Sequence, residues 1–186
     1  MALLTRRQRR RTSSALTLSL ALCAYPLAAA QETLENDVKA AFLFNFAKFV
    51  DWPPAAFRSP ADPLRICVIA DATFTRSVDR IIAGETVRGR ALQRVTPLGA
   101  EVERCHLLYV AARAPEAQRV LSSLERLPVL TVGETPGFLA DGGVISFVMV
   151  NDRVRFDVNL RAAERAGLTL SSKLLRVARH VEQGGP

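Results

Sequence analysis

One stretch near the end of the chain constrains the fold more than any other: VISFVMVNDRVRFDVNLRAAERAGLTLSSKLLRVARHV, from Val144 to Val181. Val144–Val150 is an apolar run rich in β-branched residues, bounded upstream by Gly142 and Gly143. Asn151-Asp152 is a two-residue turn signal. Arg153–Asn159 then alternates, with Val154, Phe156 and Val158 on one face and Arg153, Arg155, Asp157 and Asn159 on the other. Side chains of a strand alternate between faces, so this is a hairpin with one buried and one wet face. A short helix, Leu160–Ala166, stops at Gly167, a residue suited to a helix C-terminus. Ser171 or Ser172 then caps a last helix, whose Leu174, Leu175, Val177, Ala178 and Val181 make an apolar stripe.

The opposite end reads as a targeting signal. Arg6, Arg7, Arg9, Arg10 and Arg11 form a charged region, and Ala15–Leu22 an apolar one too short for a bilayer core of roughly 30 Å. Ala28-Ala29-Ala30 before Gln31 is a small-residue cleavage site, so residues 1–30 are expected to leave as a signal peptide, cleaved after Ala30. Arg6-Arg7 lacks the continuation of a twin-arginine signal, and Leu22 is bulky where a lipidated Cys23 would want a small neighbour. Five of the 25 basic residues and none of the 18 acidic ones depart with the signal, leaving a net charge of +2. The basic balance is thus a targeting feature. No basic stripe interleaved with aromatics argues for nucleic acid. After Ala30 no apolar stretch approaches spanning length, so a single periplasmic domain over 31–186 without membrane insertion is expected.

Between the ends, segments alternate. Thr33–Val50 reads as a helix with Leu34, Val38, Ala41, Phe42, Phe46 and Phe49 as its stripe, widened by Leu43 and Phe44 and ended by Trp52-Pro53-Pro54. Leu64–Ala70, Ala91–Thr96, Leu107–Ala111 and Pro128–Val132 read as strands. Thr75–Ala83 and Pro115–Arg126 read as helices. Strands separated by helices imply parallel crossovers and a sheet covered on both faces. The expected fold is a three-layer α/β/α sandwich with a mixed, mainly parallel sheet, closed by the C-terminal hairpin and helix. Two cysteines remain after export, Cys67 and Cys105, each in an apolar strand pattern. An even count in an oxidising compartment favours a disulfide between them. The alternative is two separate buried thiols.

No catalytic constellation emerges. His106 adjoins Cys105, but neighbours in a strand point to opposite faces, so His106 reads as a hydrogen-bonded structural residue. His180 falls near the end of the last helix, where a cation suits the helix dipole. No spacing suggests a metal site, a cofactor, a phosphate loop or a nucleophile elbow. Gly133-Glu134-Thr135-Pro136-Gly137, after the fourth strand, is either a ligand loop at the sheet edge or a plain surface loop. The polar hairpin face, Arg153, Arg155, Asp157 and Asn159 with Arg161 beyond it, is the best candidate for partner recognition. Phe44 is the phenylalanine of the first helix expected to reach a partner.

Four pieces in order and spacing, Asn36–Pro53, Leu64–Ile69, Cys105–Val110 and Val144–Val181, resemble the YfiR family of periplasmic proteins. The resemblance covers most of the chain after Ala30. It implies a non-enzymatic repressor that binds the periplasmic domain of a membrane diguanylate cyclase and lowers cyclic di-GMP signalling and biofilm growth. It leaves a homodimer open. Some relatives carry a second cysteine pair near the hairpin; this chain has none there. Two other classes stay open: a periplasmic small-molecule sensor feeding a histidine kinase or other receptor, and a hydrolase with a non-obvious site.

Overall fold

The computed structural model describes residues 24–111 and 114–183. Arg6–Arg11, Ala15–Leu22 and Cys23 lie outside the described residues. Residues 33–186 form one compact unit; of the unit 1–32, only the helical segment 24–32 is described.

Helix α1, Ala24–Phe49, opens the described chain and passes into the two-residue strand β1, Val50–Asp51. Then follow β2 (Leu64–Ile69), α2 (Ala72–Ile82), β3 (Thr86–Val87), β4 (Arg90–Val95), β5 (Leu107–Val110), α3 (Ala114–Leu124) and β6 (Leu130–Gly133). The end of the chain supplies β7 (Ile145–Val150), β8 (Arg153–Asn159), α4 (Leu160–Arg165), β9 (Thr169–Leu170), α5 (Ser172–Val177) and β10 (His180–Glu182). The central sheet runs β10-β8-β7-β6-β5-β2-β4-β3, while β1 and β9 pair separately. Strands β4, β2, β5, β6 and β7 are mutually parallel along the sheet. The hairpin β7–β8 and the small β3–β4 ribbon are antiparallel.

Local chemistry explains the elements. Asp71 caps α2 by accepting from the Thr73 and Phe74 amides at 2.7 and 2.9 Å. Asn151 and Asp152 adopt φ of 49° and 56°, the left-handed pair a tight hairpin turn needs. Two cores result. One joins α1, α2, α4 and α5 to one sheet face; the other joins α3 and Phe138 to the opposite face around Cys67 and Cys105. The first is centred on an aromatic seam. The Phe46 ring lies 4.9 Å from Phe156 and 5.8 Å from Phe147, fixing α1 against the hairpin. Cys67 and Cys105 form a disulfide with Cα atoms 5.8 Å apart.

Three expectations are corrected. The buried stripe of α1 is Asn36, Lys39, Ala40, Leu43, Phe46 and Ala47, whereas Leu34 is 65% exposed. Apolar residues are so dense from Val38 to Val50 that several stripes fit the sequence, and polar contacts choose among them. The last helix ends at Val177: Ala178 turns extended and the Arg179 amide donates to the Phe156 carbonyl at 2.9 Å. His180 therefore lies in β10, parallel to β8, and not in a helix. The wet face of β8 holds only at Arg153 and Arg155; Asp157 and Asn159 are buried.

Candidate functional site

In open α/β sheets, ligands collect outside the carboxyl ends of the parallel strands. Here that edge holds a charge cluster built around one buried cation, with its two carboxylate partners part-exposed. Lys39, on the core side of α1, pairs with Glu35 one turn earlier at 2.6 Å and with Glu134, the first residue after β6. Tyr109, near the end of β5, donates its hydroxyl to the other oxygen of Glu134 at 2.8 Å. Burial by itself would lower the Lys39 ammonium, but hydrogen bonds from it to Glu134 and Glu35 outweigh burial and hold its pKa above the ordinary value. Burial, then the Glu134 charge, push the Tyr109 phenol far up, so it stays protonated and keeps the proton it donates to Glu134. The sequence did carry a signal for Lys39: a lysine inside a dense apolar stretch, with a glutamate at i−4.

The loop after Glu134 is rigidly built. Phe138 is buried between Gly133 and Gly143, and a Cβ on either glycine would overlap its ring carbons. Asp141 and Gly143 amides return to the Gly137 and Phe138 carbonyls at 2.9 Å each. The segment Glu134–Ala140, Lys39 and the β7 residues Ser146–Met149 together wall a cavity of about 500 Å³. Sequence reasoning singled out Gly133–Gly137 but not its partners on α1 and β7, because those contacts are long-range.

His106 occupies a structural role. Its Nδ1 accepts the Arg65 amide at 3.0 Å, so Nε2 carries the proton and donates to the Ala56 carbonyl at 3.1 Å. Phe57 stacks on the ring at 4.3 Å. Burial lowers the His106 pKa to about 4, so the ring is neutral. With Cys105 in a disulfide, no cysteine–histidine dyad exists. Among the described residues, no group of three His, Cys, Asp or Glu is placed to hold a metal ion.

The expected partner residues do not form one patch. Arg153 and Arg155 are exposed near the hairpin turn. Arg161 lies past the far end of β8, about 20 Å along a seven-residue strand, beside Arg165 and His180 in a second cleft. Asn159 is unavailable to a partner. Its Oδ1 caps α4 through the Ala162 amide at 2.9 Å and its Nδ2 donates to the Leu139 carbonyl at 3.0 Å. Asp157 is likewise engaged, gripped by the Arg179 fork. Phe44 is half-buried against the core, with the Lys48 ammonium 4.9 Å from its ring centre, and it sits on the α1 side of the sheet, away from Arg153 and Arg155.

The domain is a three-layer α/β fold whose buried histidine and cysteines serve structure and whose strand-edge loop is fixed by packing. The chain belongs to the DUF4154 family, described as YfiR/HmsC-like, whose model matches residues 36–179. Membership supports a periplasmic regulator of cyclic di-GMP signalling, in a family that is regulatory rather than catalytic. No curated protein sequence matches the chain. Among solved structures, a conserved domain protein from Vibrio cholerae O1 biovar El Tor is similar with a TM-score of 0.47 and 14% identity, over 64% of this chain and 55% of that one. An ABC domain from Streptococcus pneumoniae, solved in complex with L-Trp, is similar with a TM-score of 0.46 and 12% identity, over 63% of this chain and 55% of that one. The chain thus spans about 55% of each of these structures. Among the described residues, no helix is long and apolar enough to cross a membrane.

Proposed function

We propose that this chain is exported, cleaved after Ala30, and binds the periplasmic domain of an inner-membrane diguanylate cyclase, holding it inactive without catalysing a reaction itself. The observation that carries this reading is the family match over residues 36–179. Repression requires tighter binding to the inactive state of the cyclase than to the active one. The exposed Arg153 and Arg155 are the groups offered for contact: guanidinium forks suit carboxylates on a partner, and neither is committed to an ion pair among the described residues. Capture of the cyclase periplasmic domain by the purified chain tests the proposal. Reversing both charges, Arg153→Glu with Arg155→Glu, should weaken capture roughly tenfold or more, the scale of losing a charge-assisted contact. Unchanged capture by the double variant would remove the interface; absence of capture by the parent would remove the function.

A further inference from the structure

A recess of about 260 Å³ opens between the end of α1 and the β3–β4 ribbon, and nothing in repression requires it. Ala47, Val50, Leu64 and Val87, each at most 4% exposed, give it an apolar lining, completed by the half-buried Trp52 and Phe57. Its size suits a ligand well below drug size. The surrounding groups are fixed before anything binds. The Trp52 indole donates to the His106 carbonyl at 3.0 Å. Phe57 stacks on the His106 ring at 4.3 Å and against the Arg90 guanidinium at 3.7 Å. Arg88, held at a φ of 53° that a side chain disfavours, pairs with Asp51 and ties the turn of the ribbon to β1. Two guanidiniums thus line the recess, and they differ. The charge of Arg88 is matched by Asp51. Arg90 has no carboxylate partner among the described residues: its Nη1 donates to the Ser59 and Asp62 carbonyls at 3.0 and 2.7 Å, and its Nε and Nη2 donate to no protein group there. The Asp62 carboxylate is outside the lining and accepts instead from the Arg58 and Ser59 amides, at 2.6 and 3.2 Å.

We propose that this recess binds a small apolar carboxylate, its hydrocarbon body against Trp52 and Val87 and its carboxylate on Arg90. A guanidinium with N–H groups to spare suits a carboxylate, and the contact is charge-assisted. The lining holds no carboxylate, so an ammonium would meet only positive charge there. An alcohol of the same shape would keep the apolar contact and lose the ionic one. The recess borders β3, at the opposite edge of the sheet from β8 with its Arg153 and Arg155. The proposal therefore goes beyond repression, and its test needs no cyclase.

Trp52 is the only tryptophan of the chain, so intrinsic fluorescence of the purified protein reads the recess directly. Titration with hexanoate, 1-hexanol and hexylamine separates charge from shape. A saturable change with hexanoate is expected, with 1-hexanol roughly tenfold weaker, one lost charge-assisted contact, and no response to hexylamine. Arg90→Gln should bring hexanoate down to the affinity of 1-hexanol and leave 1-hexanol unchanged, which shows the recess intact. Val87→Phe should abolish hexanoate binding by filling the space, with the fold checked by circular dichroism. If Arg90→Gln loses 1-hexanol as well, Arg90→Lys decides, because it keeps the charge: hexanoate must stay preferred over 1-hexanol. No saturable change with hexanoate, equal affinity for hexanoate and 1-hexanol, or a hexanoate affinity that Arg90→Gln leaves unchanged would each overturn the proposal.

Discussion

At the scale of single residues, the most informative group is His106. It is 1% exposed and held neutral by one accepted and one donated hydrogen bond. Folding lowers its pKa to about 4 from an ordinary value near 6.5. The unfolded chain therefore takes up the proton first as pH falls, and the native state loses ground between those two values. Its contribution is complete above about pH 6.5, and roughly 3 kcal/mol is lost by pH 4. Chemical denaturation at a series of pH values should show this decline, and His106→Gln should flatten it. Cys67 and Cys105 make a second residue-scale test. Their bond closes a span of 38 residues within the core on the α3 face, between β2 and the residues just before β5. Cys67→Ala should cost about 2–4 kcal/mol, read from the denaturation midpoint. Thiol titration of the non-reduced, denatured protein should find neither cysteine free.

At the scale of elements, the loop between β6 and β7 carries a precise demand. Gly143→Ala would drive a Cβ into the Phe138 ring and carbonyl, so a loss of about 1–3 kcal/mol is expected from overpacking. Phe138→Ala in the same background should relieve the ring part of the clash while leaving the carbonyl part, so the two changes should not add. In the hairpin, Phe156→Asp should unfold the protein, since the side chain is 1% exposed against Phe42 and Phe46 and would bring an unpaired charge there. Circular dichroism separates this from the Arg153 and Arg155 reversals, which should leave the fold intact. Elements like these show what was legible in the sequence. Period-two alternation in Arg153–Phe156 and the Asn151-Asp152 turn are local signals, and the hairpin follows from them. Asp157 and Asn159 escape the alternation rule because distant partners, Arg179 and the Leu139 carbonyl, cover them. The stripe of α1 departs from the local pattern for a related reason: Lys39 is buried where Glu134, far away in the chain, joins Glu35 in neutralising it. Strand β10 was hidden because three residues after a helix look like more helix until β8 offers them a ladder.

At the scale of the whole molecule, the α/β alternation dictated a parallel sheet with helices on both faces, and the disulfide joins Cys67 in β2 to Cys105, two residues before the adjacent β5. The candidate site was only half legible. Arg153 and Arg155 keep the exposure the pattern implied, whereas Arg161 belongs to a different cleft and Phe44 is half-buried, because strand ends and helix flanks are placed by tertiary packing. The cavity beyond β6 assembles Lys39, Glu134 and Ser146 from three separated segments, and no local pattern announces it. Restraint of a membrane diguanylate cyclase, as proposed above, has a direct cellular readout. Cellular cyclic di-GMP, quantified in a strain lacking this gene and again after the parent gene is restored, tests it most directly. A rise on deletion that the parent gene reverses is expected. Cyclic di-GMP unchanged by deletion would contradict it.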